Sequence, residues 1–328
     1  MMSVVMDHGR TASAVTLDGV DSAAVAAVAN ELLTVAQGRL DTQEWVAAAR
    51  DAWEHLPVNL RAAVRRFRRH SGPQGALILR GLPVEEHDVP DTPLVDGSVQ
   101  RTATVPAAAL VMIACGLGDP AAFLPEKSGA LVHDVVPVPG KEEFQGNAGS
   151  VLLSFHNENA FHPHRPDYVM LLCLRPDYDR VAGLRTACIR QVLDQLSDTG
   201  RDALSSAEFT TMAPPSFGGA GGTAPHPVLF GAADDPDLRV DFAATTALTR
   251  RGTDALEELR QAFGQAAKTH YLLPGDLAIV DNHVTVHGRT AFQPRYDGQD
   301  RWLQRTFALT SLRRSRGSRP DDGHVLVD

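Results

Sequence analysis

The chain has 328 residues, 43% of them hydrophobic, and its 40 acidic side chains against 31 lysines and arginines give a formal net charge of −9. A chain of that length buries a sizeable core, and with no break in composition one domain over 1–328 is expected. The acidic balance excludes a nucleic-acid binder, which needs a concentrated basic face, and the longest apolar run, AAALVMIAC at 107–115, is too short to span a bilayer.

From the N-terminus, MMSVVMDHGR has no signal-peptide core, so the cytoplasm is the default location, and residues 1–16 read as flexible. Helical periodicity follows at 22–37, 44–55 and 57–70. In the last of these Arg61, Arg65 and Arg68 or Arg69 recur at helical spacing and read as a solvated face. ALILRGLPV at 76–84 predicts the first core strand, closed by Gly81 and Pro83, and 104–117 predicts a buried helix. From about residue 130 strands dominate: ALVHDVVPV, SVLLSFHNE, DYVMLLCLR, LRTACIR, HPVLF, LRVDFAA, LAIVDNHVTVHG and RWLQRTFALTSL. VLDQLSDTGRDALSS and DALEELRQAFGQAAKTH between them read as helices. The Gly/Pro-rich stretch at about 213–227 reads as a lid loop. Cys115, Cys173 and Cys188 lie scattered in apolar stretches and predict reduced, buried thiols. Many short strands with flanking helices predict a mainly β fold, a double-stranded β-helix or jelly-roll.

The chemistry concentrates in SFHNENAFHPHRP. On an extended strand alternate side chains share a face, so His156 and Glu158 can converge on one ion. His287, in DNHVTVHGRT, supplies a second imidazole. Two histidines and one carboxylate leave coordination positions open, the pattern of non-heme Fe(II) oxygenases rather than of closed zinc sites. His162 and His164 sit in a Pro-broken loop and read as groups outside the ligand set. Arg301 lies in the strand-like DRWLQRTFALTSL, and a hairpin through FQPRYDGQD would return it beside His287. Its planar fork of donors suits the far carboxylate of 2-oxoglutarate, whose near end would chelate iron and leave one position for O2. Two rival readings stay open, a non-catalytic metal-binding jelly-roll and a zinc hydrolase; a pair of carboxylate-anchoring arginines disfavours the first, and dependence on O2 separates the second.

Together GALILRGLPV, GDPAAFLPEKSGALVHDVVPVPGKEEFQGNAGS, FHNENAFHPHRPDYVMLLCLR and IVDNHVTVHGRTAFQPRYDGQDRWLQRTF resemble the clavaminate synthase-like Fe(II)/2-oxoglutarate oxygenases, from about Leu17 to the C-terminus. The resemblance implies His156, Glu158 and His287 as iron ligands, with 2-oxoglutarate held by Arg301 and Thr186. It further implies substrate contacts from Glu126, Asn147, Asp241 and Arg305. Within the family it is to the branch that hydroxylates free L-asparagine at C3 for peptide-antibiotic synthesis. A carboxylate at Asp241 suits any nitrogen-bearing side chain, so citrulline, arginine and lysine stay open as substrates, as does desaturation in place of hydroxylation. The implied partner is a small amino acid, with neither nucleic acid nor membrane.

Overall fold

The computed structural model describes residues 13–218 and 221–328. Of the four helices expected before residue 118, three begin at side-chain caps. The Asp18 carboxylate accepts from the amides of Val20 and Asp21, at 3.0 and 2.9 Å, and opens α1 (Gly19–Glu31). Thr42 caps α2 (Gln43–Trp53), and α3 (Val58–Arg69) starts behind Pro57. Thr104 caps α4 (Val105–Leu117), which is buried on every side from Ala107 onward. It ends at Gly118, where a Cβ would lie 2.1 Å from the Leu309 carbonyl oxygen, so only glycine allows the helix to turn back so close to the sheet.

Nine strands, numbered along the chain, form the larger sheet: β1 (Ser13–Thr16), β2 (Ala76–Arg80), β3 (Val99–Gln100), β4 (Asp119–Phe123), β5 (Val132–Val135), β7 (Tyr168–Arg175), β14 (Leu277–Asp281), β16 (Trp302–Leu309) and β17 (Val325–Leu326). A smaller sheet has the order β13-β8-β15-β6, from β6 (Leu153–His156), β8 (Leu184–Cys188), β13 (Lys268–His270) and β15 (Thr285–Arg289). Two short ribbons complete the strands, β9 (Phe209–Thr211) with β12 (Thr245–Ala247) and β10 (Leu229–Gly231) with β11 (Pro236–Leu238).

Alternation along the larger sheet divides the core. Leu77 and Leu79 of β2, Met170 and Leu172 of β7, and Leu277 and Ile279 of β14 pack outward with α1–α4. Ala76, Ile78, Leu171, Cys173, Ala278 and Leu303 point to the other face and meet Leu184 of the smaller sheet. These strands read as unbroken apolar runs because both of their faces are covered. The smaller sheet's outer face, with Phe155, Ala187 and Val286, packs against α6 (Arg250–Ala266) through Leu256, Leu259 and Phe263. A short α5 (Asp198–Leu204) completes the helices among the described residues. The result is the expected jelly-roll with flanking helices, and the three cysteines are buried and unpaired as expected.

Several boundaries differ from the sequence reading. Of the N-terminal stretch expected to be flexible, residues 13–16 pair in parallel with β2, and 1–12 lie outside the described residues. The KTH end of the expected last helix becomes β13, because antiparallel pairing to β8 outweighs helix propensity there. LRVDFAA extends only to Leu238 as a strand, and Asp241 forms an isolated bridge to His156. The hairpin expected between β15 and β16 does not form. β15 belongs to the smaller sheet and β16 pairs with β4, β5 and β7 in the larger one, so the intervening segment passes from one sheet to the other instead of folding back.

Candidate metal and substrate site

Register assembles the site. Antiparallel pairing sets His156 opposite His287, His287 opposite Thr186, and Thr186 opposite Lys268, while the isolated bridge adds Asp241 opposite His156. Directly paired residues share a face, so Asp241, His156, His287, Thr186 and Lys268 form one row across the inner side of the smaller sheet. Glu158 follows β6 two residues after His156. Ligand atoms of His156, Glu158 and His287 all lie within 4.8 Å of one another, and they are the only such His/Cys/Asp/Glu group among the described residues.

Asn157, between the two ligands of the motif, explains why Glu158 stays there. Alternation points it away from the cavity, where its amide nitrogen donates to the carbonyls of Asn282 and Thr285 at 2.9 and 3.1 Å and its oxygen accepts from Val240 N at 2.9 Å. Asn282 reciprocates. Its oxygen accepts from Glu158 N at 2.8 Å, and its amide nitrogen donates to the Glu158 and Pro166 carbonyls at 3.0 and 2.9 Å. Both asparagines are buried, so each of these bonds satisfies a group that water cannot reach.

The protonation states suit a divalent cation. Burial, with the nearby His156 adding to it, pushes the His287 imidazole down to about 4 against the opposing pull of Glu158, so the ring is neutral near pH 7. Burial alone would raise Glu158, but the Arg305 charge and the two imidazoles outweigh it and hold the carboxyl well below its usual range. His156 Nδ1 lies 2.9 Å from the Ser154 carbonyl and must donate to it, which leaves Nε2 as the nitrogen free to face an ion.

Across the cavity, β16 contributes Arg305, which is 3% exposed. Its Nη1 donates to Glu158 Oε1 at 2.9 Å, and Nη2 donates to Glu126 and, at 2.8 Å, to Nδ1 of His133. With its amide oriented oxygen-first, Asn147 accepts from both terminal nitrogens at 3.2 Å. Burial beside the Glu158 charge raises Glu126 despite its contact with Arg305: two carboxylates share one guanidinium, and Glu158 keeps the better claim. Arg301, at the entry to β16, is 5% exposed and makes no side-chain hydrogen bond among the described residues. Phe292 lies 5.9 Å below its guanidinium. It borders a cleft with Cys173, Asp177, Tyr271, Leu272 and Leu303. Thr186 Oγ1 lies 3.1 Å from His270 Nε2, and burial, with Lys268 and Arg80, pushes His270 down to about 4. Thr186 and Arg301 do not touch, although Leu184 and Leu303, two residues from each, share the inner apolar layer. Asp241 accepts from Ala243 N at 2.8 Å. Thr245 Oγ1, bonded to the Asp241 amide at 2.9 Å, continues through Thr211 Oγ1 to His226 at the base of the 213–227 loop.

His162 and His164 stay outside the metal cluster. His162 Nδ1 accepts from His164 N at 3.0 Å, so Nε2 donates to the Asp328 carbonyl at 3.0 Å. His133 and the Asn157–Asn282 lock escaped the sequence reading. The signal for His133 was a polar His-Asp pair within the otherwise apolar strand ALVHDVVPV; for Asn157 it was the position between two ligands.

Residues 42–307 match the model of the taurine catabolism dioxygenase TauD, TfdA family. The chain is 64% identical over 313 residues to an L-asparagine oxygenase of Streptomyces coelicolor, covering 95% of this chain and 94% of that one. It is 33% identical over 289 residues to clavaminate synthase 2 of Streptomyces clavuligerus, covering 87% and 88%. A solved structure of asparagine oxygenase in complex with Fe(II), 2S,3S-3-hydroxyasparagine and succinate superposes with a TM-score of 0.94 at 64% identity, covering 96% of this chain and 99% of that one. Matching sequence over most of the chain and matching architecture lead to one conclusion: this protein belongs to the TauD/TfdA family of dioxygenases.

Proposed function

We propose that the protein hydroxylates free L-asparagine at C3, using Fe(II), 2-oxoglutarate and O2, within peptide-antibiotic synthesis. The observation that carries this reading is the direct contact of a two-histidine, one-carboxylate cluster with a buried polar group of Arg305, Glu126 and Asn147 suited to the two charged ends of an amino acid. The 64% identity to an L-asparagine oxygenase supports the choice of amino acid.

The donor set fits a ferrous ion: two imidazoles and a carboxylate held ionised converge, with His287 Nε2 3.6 Å from Glu158 Oε2. Bound there with 2-oxoglutarate and O2, iron supplies the oxidising power that places one oxygen atom in a C–H bond as the keto acid becomes succinate and CO2. The chain's own residues position the reactants. Arg301, buried and without a carboxylate partner, anchors the far carboxylate of 2-oxoglutarate, with the Thr186 hydroxyl as second donor. Arg305 receives the α-carboxylate of the amino acid, Glu126 and Asn147 receive its ammonium, and Asp241 accepts from the side-chain amide. Gripping the substrate at both ends restricts attack to one carbon. The 213–227 loop is the lid: Phe217 seats its ring 4.8 Å from Phe161 and 5.9 Å from Phe123, next to the stretch that carries Glu158.

The test is a panel of free amino acids supplied with Fe(II), ascorbate and 2-oxoglutarate, with succinate and product mass measured with and without O2. L-Asparagine should gain one oxygen at C3, aerobically only. Turnover of citrulline, arginine or lysine in its place would overturn the substrate and keep the chemistry; turnover without O2 would overturn the chemistry.

A further inference from the structure

We infer that His133 is a positioning residue for substrate recognition, a neutral hydrogen-bond acceptor that holds Arg305 without neutralising it and so keeps the guanidinium charge for the α-carboxylate of the amino acid. The inference rests on the reading of Arg305 given above.

β5 and β16 pair so that His133 stands directly opposite Arg305. The ring is 1% exposed, and its Nε2 is 2.9 Å from the Ala130 carbonyl oxygen. A nitrogen facing a carbonyl must carry the hydrogen, so Nδ1 presents a lone pair, and Arg305 Nη2 donates to it at 2.8 Å. Phe307 fixes both partners, with the His133 ring edge-on at 5.7 Å and the guanidinium over its face at 4.6 Å. Glu126 and Glu158 reach the same guanidinium, Glu126 Oε1 lies 3.6 Å from His133 Nδ1, and Lys127 follows Glu126 in the adjoining turn. Burial and the positive charges of Arg305 and Lys127 drive the imidazole well below its usual range, in accord with the tautomer that the hydrogen bonds require. The charge balance explains the residue type. Arg305 already faces two carboxylates, and the substrate brings a third; another carboxylate in place of His133 would leave the incoming one unmatched, and a protonated imidazole would repel the arginine. A neutral acceptor orients without either cost.

The test compares anaerobic binding of L-asparagine and of 3-aminopropanamide, the same molecule without its carboxylate, to the full-length Fe(II)–2-oxoglutarate protein. In the wild type the carboxylate should improve binding strongly; equal binding of the two ligands would overturn the Arg305 reading and this inference with it. His133→Phe keeps a buried ring but offers no acceptor. It should weaken asparagine about tenfold or more and 3-aminopropanamide less than about twofold, with the KM for 2-oxoglutarate unchanged, and His133→Asn should restore much of the difference. Equal weakening of both ligands, or of neither, would overturn the role. Should the Phe variant not fold, His133→Asp decides: an added charge on Arg305 should abolish the preference for asparagine, and a preserved preference would overturn the inference.

Discussion

Arg301 and Arg305 sit just before and in the body of β16 with different surroundings, and the proposed function gives them different carboxylates. Arg305 is enclosed by Glu126, Glu158, His133 and Asn147, whereas Arg301 faces a cleft with no carboxylate in hydrogen-bond contact. Arg301→Gln should therefore raise the KM for 2-oxoglutarate by the equivalent of about 2–5 kcal/mol and leave the KM for asparagine nearly unchanged, with Arg305→Gln doing the reverse; steady-state titration of each substrate measures the split. At Asp241 the expectation concerns charge sign. Asp241→Asn removes a repulsion and offers an amide donor, so the variant should turn over L-aspartate and the wild type should not, as followed by product mass.

At the level of elements, backbone periodicity made much of the site legible. His156 and Glu158 are two residues apart, and alternation alone placed them on one face. Arg301 and Arg305 were visible as charges at the edge of and within a strongly strand-like run. What stayed hidden depends on pairing between distant segments. No local pattern shows that His133 meets Arg305, or that the turn after β14 locks Glu158. The expected hairpin failed for the same reason: 290–301 has turn chemistry, but β16 lies within the larger sheet, buried between the helices and the smaller sheet, and pairs there with β4, β5 and β7. Asn282→Ala tests the lock. Removing three buried hydrogen bonds should cost on the order of 3 kcal/mol or more of stability, seen as a lower Tm, and weaken Fe(II) binding in equilibrium titration although no ligand is changed.

For the whole molecule, buried neutral histidines set the response to acid. Burial pushes His270 and His287 down to about 4 in the folded protein and holds His133 and His226 below their usual value. An unfolded chain takes up protons at these residues from about pH 6.5 downward while the folded one resists, so the unfolded state binds more protons and stability falls as pH drops from about 6.5 toward 4. The metal-free protein should show a Tm that declines across this window, and His270→Asn should make the decline shallower; a Tm independent of pH between 6.5 and 4.5 would contradict the assignment.

The row Asp241, His156, His287, Thr186 and Lys268 has a further consequence for which changes the protein can survive. Its members converge only because each strand is in phase with its neighbour, so the site is stored as parity along the chain. Deleting or inserting one residue within β15 before His287 would exchange the inward and outward sets, turning His287 toward α6 and Val286 toward the cavity. Substitutions on that strand are graded in effect, whereas a single-codon change in length there is all-or-none for iron binding. Length changes in the segment 290–301, which crosses between the sheets outside any ladder, carry no such parity constraint.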